Sequence, residues 1–201
     1  MSTEGAAADL LRALKDWPGP TRRLAQLRQE YVEFIGSRDI DALRRDGGSD
    51  HLTASCFIFS ADLERTLLCF HRKGRFWVQT GGHVEAGDGS IPGAALREAR
   101  EESGLAGLHL VPGVLDLDRH ELGDGFGACR THWDVGFAAL TTTVERPRVS
   151  EESEEVAWFS IRDLPTPLAG RVAGRLAQLR DQVRAARTTE ASPREVLGSG
   201  G

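Results

Sequence analysis

The chain has 201 residues, of which 40% are hydrophobic and 27% charged, and its formal net charge is −5 at pH 7. This composition is ordinary for a globular protein of one medium domain with an appendage. The negative charge argues against a general nucleic-acid binder or a binder of anionic membranes, and no apolar run approaches the roughly 20 residues of a membrane span. The N-terminus lacks a secretory signal, and three cysteines without CxxC spacing indicate a reducing compartment. We therefore expect a cytoplasmic protein.

The first 48 residues are predicted to form a helical extension. Ala6 to Trp17 carries leucines at helical spacing, and Pro18-Gly19-Pro20 interrupts the pattern. Thr21 then caps a longer helix through about Ile35, and a short helical piece runs from Ile40 to Arg45. Three roles are open to this extension: packing on the next domain, contact in a homodimer, or closure over a substrate. Packing is the expected one.

Residues 49–187 are predicted to form the main domain, which begins with β-strands. The predicted strands are Leu52–Ser60, Thr66–His71 and Phe76–Gln79, with a turn at Asp62–Arg65 between the first two. The connection before the third strand is basic, because it contains Arg72, Lys73 and Arg75. Such a connection is either a solvated turn or a contact for substrate phosphates. We treat its three cations as candidate substrate-binding residues.

A glycine-rich loop followed by a helix is the most informative stretch of the chain. The loop runs from Gly81 to Gly89, and Ser90 is predicted to cap the helix with its hydroxyl. Pro92 suits the first helical turn, where a missing N–H has no cost. Gly104 is predicted to end the helix in a left-handed conformation.

The predicted helix carries three glutamates on one face. Glu101 and Glu102 follow Glu98 by three and four residues, so their carboxylates project from the same side. Like charges at this spacing repel by about 0.2–0.5 kcal/mol per pair, and the helix dipole disfavours anions near the C-terminus. Either the face is simply solvated, or a divalent cation offsets the repulsion. All-oxygen ligands of this kind suit Mg²⁺ or Mn²⁺.

Two further strands are predicted after this helix. They are Leu108–Leu117 and Arg130–Leu140, joined by a polar, glycine-rich connection over Asp118–Cys129. In the second strand, His132 and Asp134 share one face because side chains alternate with a period of two. This pair is interpreted either as a group that positions substrate or a second metal, or as a structural hydrogen bond.

The last part of the chain is predicted to contain an acidic loop, a strand and a long helix. Glutamates between Glu151 and Glu155 precede the strand Val156–Phe159, and one of them is a candidate for a further metal ligand or base. The helix, with an apolar stripe starting at Leu168, is predicted to end near Ala186. Residues 188–201 are predicted to form a flexible tail.

The glycine loop and the acidic helix together resemble the Nudix box. In this pattern Gly is followed after five residues by Glu and, after seven more, by Arg-Glu, an aliphatic, any residue, Glu-Glu, any residue, Gly and an aliphatic. Here Gly82 opens the pattern and the segment from Arg97 to Leu105 closes it. Two positions depart from it, because Asp88 replaces the first glutamate and eight residues rather than seven separate it from Arg97. The extra residue precedes the helix cap and aspartate keeps a carboxylate, so we interpret Gly81–Leu105 as a variant Nudix box.

The resemblance covers roughly residues 51–187 and implies an α/β fold of the Nudix type. This fold is an α/β/α sandwich with a mixed β-sheet. The resemblance also implies hydrolysis of a nucleoside diphosphate linked to another moiety, with Mg²⁺ or Mn²⁺ as cofactor and a small-molecule diphosphate as the partner. Sugar nucleotides, oxidised nucleotides, dinucleoside polyphosphates and CoA derivatives all stay open as substrates.

By similarity, the box residues have individual roles. The implied metal ligands are Glu98, Glu101, Glu102 and the backbone carbonyl of Gly81. Glu101 or Glu102 is the candidate base for the attacking water. Arg97 is expected to orient the cluster by pairing with Glu101 or Asp88.

Three other functional classes are alternatives to hydrolysis. An isopentenyl diphosphate isomerase requires a reactive cysteine in a characteristic setting, which none of Cys56, Cys69 and Cys129 has. A non-catalytic nucleotide sensor or regulator typically loses box carboxylates or adds a DNA-binding module, and neither change is visible. A structural or interaction protein does not require an acidic, metal-binding cluster of this kind. Hydrolysis is therefore the preferred interpretation and the sensor is the alternative.

Overall fold

The computed structural model describes residues 3–113, 116–123, 127–141, 146–150 and 153–191. The helices are α1 (Thr3–Asp16), α2 (Arg22–Arg38), α3 (Ile91–Ser103) and α4 (Val172–Ala191), with a short 3-10 helix at Asp39–Ala42. The strands are β1 (Asp50–Ser60), β2 (Arg65–His71), β3 (Phe76–Val78), β4 (Thr80–His83), β5 (Leu108–Leu110), β6 (Asp116–Glu121), β7 (Thr131–Thr141) and β8 (Ser153–Ser160). No helix in these ranges combines the length and apolar character needed to span a membrane.

All of these strands join one mixed sheet built around the parallel pair β1 and β7. This pair runs in register from Asp50 opposite Thr131 to Ser60 opposite Thr141. The other pairings are antiparallel: β1 with β2 and β4, β2 with β3 and β8, and β7 with β5 and β6. Each of the two central strands therefore changes its outer partner along its length, β1 from β4 to β2 and β7 from β6 to β5.

Helices cover both faces of the sheet, as expected for an α/β/α sandwich. One buried apolar cluster joins α1, α2 and α3 to alternate residues of β1 and β7, such as Ala54 and Val135. The other cluster joins α4 to the opposite face through residues such as Phe57 and Leu176. The predicted mixed sheet between helices is confirmed.

The N-terminal helices are part of the first core. Tyr31 of α2 is fully buried, and its hydroxyl lies 2.9 Å from the carbonyl oxygen of Asp118 and 2.8 Å from that of Asp134. The ring of Phe34 stacks on that of Trp133 with centroids 4.3 Å apart. Packing, the expected role of the extension, is thus observed. The predicted helix at Ile40–Arg45 is shorter and tighter, a single 3-10 turn at Asp39–Ala42.

The box helix has the ends that its sequence predicts. The hydroxyl of Ser90 accepts a hydrogen bond from the N–H of Gly93, and proline occupies the first turn. Gly104 has φ +68°, and its N–H donates to the carbonyl of Arg100. Both caps are therefore confirmed.

The start of the glycine-rich segment is a strand and not a loop. Thr80 to His83 pair antiparallel with β1, where Gly81 lies opposite Ser55. An alanine Cβ at Gly81 would come within 2.7 Å of the Cα of Ser55, and φ there is +153°. Glycine permits this close approach. A prediction from composition assigns the same glycine-rich segment to a loop.

The predicted strand Leu108–Leu117 is wrong, because it is two strands. Gly113 adopts φ +93° next to Pro112, which ends β5 after Leu110. The chain then resumes as β6, which continues to Glu121 through residues predicted to be a connection. Both strands pair with β7 on different halves of its length.

The last helix starts later and ends later than predicted. Gly170, with φ +34°, precedes the first helical turn, so Leu168 lies before the helix. Leu168 still packs on the second core, and the N–H of Ala169 donates to the carbonyl of Trp77 at 2.8 Å. Residues 188–191, predicted to be flexible tail, continue the helix, and residues 192–201 lie outside the described ranges.

Candidate active site

A cleft of about 1320 Å³ is lined by residues of β1, β4, β6 and β7, at the end of the sheet where these four strands lie side by side. Its wall near the box includes Gly81, Gly82 and Glu102. The strands β1, β6 and β7 supply a polar floor, and residues at the start of α4 close the far side. The cleft is large enough for a nucleotide-sized molecule.

Arg97 links four parts of the box next to the cleft-lining residues Gly82 and His83. Its Nε and Nη2 donate to the two carboxylate oxygens of Asp88 at 2.7 and 3.0 Å, and Nη2 also donates to the carbonyl of His83 at 3.0 Å. Its Nη1 donates to Glu98 at 3.0 Å and to Glu101 at 2.9 Å. The expected pairing of Arg97 is therefore observed with both candidate acids, Asp88 and Glu101.

These bonds fix the charge states of the pair. The hydrogen bonds that Arg97 donates to Asp88 are the main cause of a raised pKa for Arg97, so the guanidinium stays charged. Burial is the largest single influence on Asp88 and raises its pKa, but the bonds from Arg97 and from the N–H of Glu85, together with the charge of Arg97, lower that pKa overall. Asp88, the residue that departs from the box pattern, therefore binds Arg97 through both of its carboxylate oxygens.

Two box glutamates lie directly against the glycines of β4. Glu102 is only 8% exposed, and its Oε2 accepts a hydrogen bond from the N–H of Gly81 at 2.8 Å. A Cβ on Gly82 would approach Oε1 of Glu98 to 2.5 Å, so the absence of a side chain makes room for that carboxylate. Glu101 is more open to solvent, with 59% of its side chain exposed. The three acids that the sequence placed on one face lie around Arg97 and β4.

The floor of the cleft centres on the buried Arg175 of α4. Its Nη2 donates to Asp134 at 2.7 Å, and its Nε donates to Asp116. Asp134 also accepts from Thr53 at 3.0 Å and from Ser55 at 2.6 Å, so both of its oxygens have protein donors. Of the two interpretations of Asp134, the contacts support the structural one.

Asp118 is the third carboxylate of this floor. It accepts hydrogen bonds from Arg171 and from His120, whose Nδ1 lies 3.2 Å away. Burial alone would raise the pKa of Asp118, but the bond from His120 and the charges of Arg175 and Arg171 lower it to about 2. Asp118 is therefore ionised at neutral pH. The predictions from sequence missed this floor, because they assigned Asp118 to a connection.

Histidines form a second layer of the cleft, nearer the strand ends. His132 lines the cleft as predicted, and His51 and His83 lie beside it, with ring centroids 5.2 and 5.3 Å from its own. Burial, reinforced by neighbouring histidines, lowers the pKa of His132 to about 3 and that of His83 to about 4. Both imidazoles are therefore neutral at pH 7. His51 and His83 were not predicted as site residues, although the alternation His51-x-Thr53-x-Ser55 marks a polar face at the start of β1.

The basic connection before β3 divides between the cleft and the outer surface. Arg72 and Lys73 line the cleft, and Arg72 also donates to the carbonyl of Ser153 at 3.3 Å. Arg75 instead pairs with Glu154 and lies 5.0 Å over the ring of Phe70, and it is not among the described residues that line the cleft. In the predicted acidic loop before β8, Glu151 and Glu152 lie outside the described ranges.

The cysteines lack the setting that a reactive thiol needs. Cys56 and Cys69 are buried in the strands β1 and β2, and burial raises the pKa of the Cys56 thiol to about 12 and raises that of Cys69 as well. Thiols of this kind are inert. Cys129 is also free and buried, and it lies beside the histidines.

A match to a family model agrees with this geometry. The NUDIX domain model matches residues 49–180, which include the whole sheet and the box helix. The chain belongs to the Nudix family. The predicted family is therefore confirmed, with Asp88 and one extra loop residue as departures from its box.

A Nudix relative of known sequence is found in Mycobacterium tuberculosis. It carries the name mutator protein MutT4 and is 32% identical over 167 residues. The match covers 82% of this chain and 60% of that protein, so the chain spans three fifths of the relative's length.

Solved Nudix structures share the fold at low sequence identity. A NUDIX-family hydrolase from Clostridium perfringens has a TM-score of 0.55 at 23% identity and covers 66% of this chain and 97% of that one. An Ap4A hydrolase from C. elegans has a TM-score of 0.53 at 19% identity, with coverages of 69% and 98%. The NUDIX domain of NrtR from Shewanella oneidensis, crystallised with ADP ribose, has a TM-score of 0.54 at 19% identity, with coverages of 76% and 97%.

Proposed function

We propose that the protein is a divalent-metal-dependent hydrolase of a nucleoside diphosphate linked to another moiety. The observation that carries the proposal is the set of three glutamates held by Arg97 and the β4 glycines, of which Glu102 lines a nucleotide-sized cleft. Membership of the family supports it, as do two structurally similar proteins, an Ap4A hydrolase and a NUDIX domain that binds ADP ribose.

The box residues suit Mg²⁺ or Mn²⁺. Glu98 and Glu102 are both largely buried beside backbone of β4, and they supply only oxygen donors, which these hard ions prefer. Glu101 and the carbonyl of Gly81 are the proposed further ligands. When bound, the ion would neutralise phosphate charge and lower the pKa of a coordinated water.

The chain's own cations provide a second source of charge for a diphosphate. Arg72 and Lys73 line the cleft on the side of β3, and Arg119 and Arg171 line it on the side of β6 and α4. Arg175 is committed to the buried carboxylates and is proposed to hold the floor rigid. A diphosphate in the cleft would therefore meet carboxylate-bound metal at one wall and guanidinium groups at the other.

Glu102 is the better candidate for the base. It lines the cleft, whereas Glu101 does not belong to the described lining and accepts a hydrogen bond from Arg97. Arg97 is proposed to position the glutamates rather than to contact the reacting atoms.

The test is the release of phosphorylated products from a panel of diphosphate compounds with Mg²⁺ or Mn²⁺, separated by chromatography because cleavage between two esterified phosphates yields no free inorganic phosphate. The panel would contain a sugar nucleotide, an oxidised nucleoside triphosphate, a dinucleoside polyphosphate and a CoA derivative. Wild type should turn over at least one compound, and Glu102→Gln should lose about 10²–10⁴-fold in kcat, the range expected for loss of a proton-transfer group. The exposed Glu33→Gln on α2 is the matched control and should keep wild-type rates.

Two outcomes would contradict hydrolysis. Equal turnover by wild type and Glu102→Gln would show that the box does not take part in the reaction. Absence of turnover, combined with a nucleotide that raises the melting temperature, would support the nucleotide sensor in its place.

A further inference from the structure

Four side chains of the metal-binding type meet at the strand ends of the cleft. They are His51, His83, Cys129 and His132, and one ligand atom from each lies within 4.8 Å of every other. The three imidazole centroids are 4.9 to 5.3 Å apart. We refer to these four residues as the His/Cys cluster.

The sheet topology creates this cluster from distant parts of the sequence. His51 lies opposite His132 in the parallel β1–β7 pair, and His83 lies opposite Thr53, two residues further along β1. The chain just before β7 is held to the start of β1, because the N–H of Arg130 donates to the carbonyl of Ser49 at 2.8 Å. That bond brings Cys129 to the same place.

Each histidine of the cluster has a buried nitrogen without a partner. The Nε2 atoms of His51, His83 and His132 are inaccessible to solvent and make no hydrogen bond among the described residues. Buried polar atoms normally have partners, so three orphaned nitrogens in one place require an explanation. His51 as a whole is 0% exposed, and its Nδ1 lies 3.4 Å from the carbonyl of Gly48. A proton on that Nδ1 leaves the lone pair on Nε2 for a ligand.

We propose that the His/Cys cluster binds a transition metal ion of the zinc type. Three imidazoles and one thiolate suit Zn²⁺ and not the hard Mg²⁺ or Mn²⁺ assigned to the box glutamates. Tetrahedral Zn²⁺, with bonds of about 2.0–2.3 Å, requires ligand atoms roughly 3.4–3.7 Å apart. The cluster lies within 4.8 Å, so small side-chain rotations close it.

Four protein ligands complete a tetrahedral shell, so the site is structural. The ion fastens the segment before β7 to the ends of β1 and β4, at the mouth of the cleft. It acts beside the proposed hydrolytic site and does not depend on it.

An anion does not explain the cluster as well as a cation does. The four ligand atoms of the cluster are three imidazole nitrogens and one thiol sulfur, and no Lys or Arg side chain belongs to it. Neutral imidazole is instead the form that binds metal.

The test is a Co²⁺ titration of the full-length, metal-stripped protein under reducing conditions, with Mg²⁺ in excess to occupy the box. We expect one equivalent of Co²⁺ per chain, with the intense visible bands of a tetrahedral site and a thiolate-to-cobalt charge-transfer band. One equivalent of Zn²⁺ should abolish both. Zn²⁺ alone should raise the melting temperature by mass action.

Substitutions then assign the ligands. Cys129→Ser should remove the charge-transfer band, and His132→Gln should weaken Co²⁺ binding by at least about tenfold. The matched controls are Cys56→Ala, a buried thiol elsewhere on β1, and the exposed His109→Gln on β5; both should keep the wild-type spectrum.

The wild-type titration is decisive even if a variant fails to fold. Weak octahedral bands without charge transfer, or no binding above the Mg²⁺ background, would overturn the proposal. So would an unchanged charge-transfer band in Cys129→Ser, or loss of Co²⁺ binding in Glu98→Gln, which would place the ion at the box. Failure here leaves the product-release test of the box unaffected, because that test monitors different residues.

Discussion

Arg97 shows how one side chain can organise an acidic site. Its guanidinium donates to Asp88, Glu98, Glu101 and the carbonyl of His83, and only 22% of the side chain is exposed. The loop and the helix would otherwise be joined mainly through backbone. Arginine suits this position because its planar fork can serve several acceptors at once.

Replacement of Arg97 by lysine keeps the charge and removes the fork. We expect Arg97→Lys to lose about 1–3 kcal/mol of unfolding free energy, the usual cost of hydrogen bonds to charged groups. For a chain of this length, this corresponds to a fall in melting temperature of about 2–4 °C per kcal/mol. The apparent affinity for Mg²⁺ should fall as well, because the glutamates lose their common anchor. Calorimetry and a Mg²⁺ titration of activity measure the two effects.

The exposed Arg12→Lys on α1 is the matched control, and it should change neither quantity. A variant at Arg97 with wild-type melting temperature and Mg²⁺ dependence would show that the network contributes nothing to the site.

The sequence predicted the residues of the box well, because their contacts are local. Ser90, Gly104 and the pairing of Arg97 with Asp88 and Glu101 all lie within 16 residues of one another in the chain and follow from capping and helix periodicity. His51 and Cys129 are 78 positions apart, so no local pattern joins them. Only the register of β1 with β7 brings these two together.

Among the elements, β4 is defined by how closely it approaches β1. A Cβ at Gly81 would lie 2.7 Å from the Cα of Ser55 and 2.8 Å from the carbonyl of Ala54, both of them backbone atoms. Backbone cannot rotate away as a side chain can. The close approach therefore depends on glycine.

We expect Gly81→Ala to destabilise the fold by more than about 2 kcal/mol, since it combines a backbone clash with an unfavourable φ. Gly87→Ala, in the loop that follows β4, is the matched control, because nothing lies within 4 Å of the added Cβ. It should stay within about 0.5 kcal/mol of wild type, as surface changes do. Urea unfolding followed by tryptophan fluorescence measures both. Equal stability of the two variants would contradict the strand assignment at Gly81.

At the element level the sequence predicted helices better than the strands around the site. Helix ends carry residue-specific signals, such as Thr21, whose hydroxyl accepts from Leu24 as expected. The strand β4 contains two glycines and so resembles a loop by composition. Residues 108–117 were predicted as one strand because they are mostly apolar, whereas the chain divides near the left-handed Gly113 and β6 continues into the polar residues up to Glu121.

Over the whole molecule, ion pairs connect the two layers of helix through the sheet. Asp118 on β6 accepts from Arg171 beside α4, and Arg175 of α4 lies 4.0 Å from the same carboxylate. On the opposite face, the carbonyl of Asp118 receives the hydroxyl of Tyr31 from α2. Contacts from α4 on one face of the sheet and from α2 on the other therefore stabilise the cleft floor.

This network predicts how stability responds to acid. The pKa of Asp118 is lowered from 3.8 to about 2 in the folded protein, so its stabilising effect is complete above pH 4 and is lost as the pH falls towards 2. By linkage this shift is worth about 2 kcal/mol. Asp118→Asn should be less stable than wild type at pH 6, and the difference should shrink by about that amount near pH 2. Urea unfolding across this range measures it.

The half-exposed Asp9→Asn on α1 should show a difference that does not vary in this way. A difference in unfolding free energy between wild type and Asp118→Asn that is constant from pH 6 to pH 2 would mean that the charge of the Asp118 carboxylate does not stabilise the fold.

The alternation along β1 and β7 also bears on how this cleft can change during evolution. Thr53, Ser55, His132 and Asp134 face the cleft, and each is flanked by residues such as Ala54 and Val135 that face the first core. Neighbouring positions along these strands therefore have different roles, because one face builds the polar floor and the other builds the apolar interior. The polar face is not independent of folding, since Thr53 and Ser55 bond to Asp134, which in turn pairs with the buried Arg175. We therefore expect the floor to change in evolution as a coordinated set of residues and not by single substitutions.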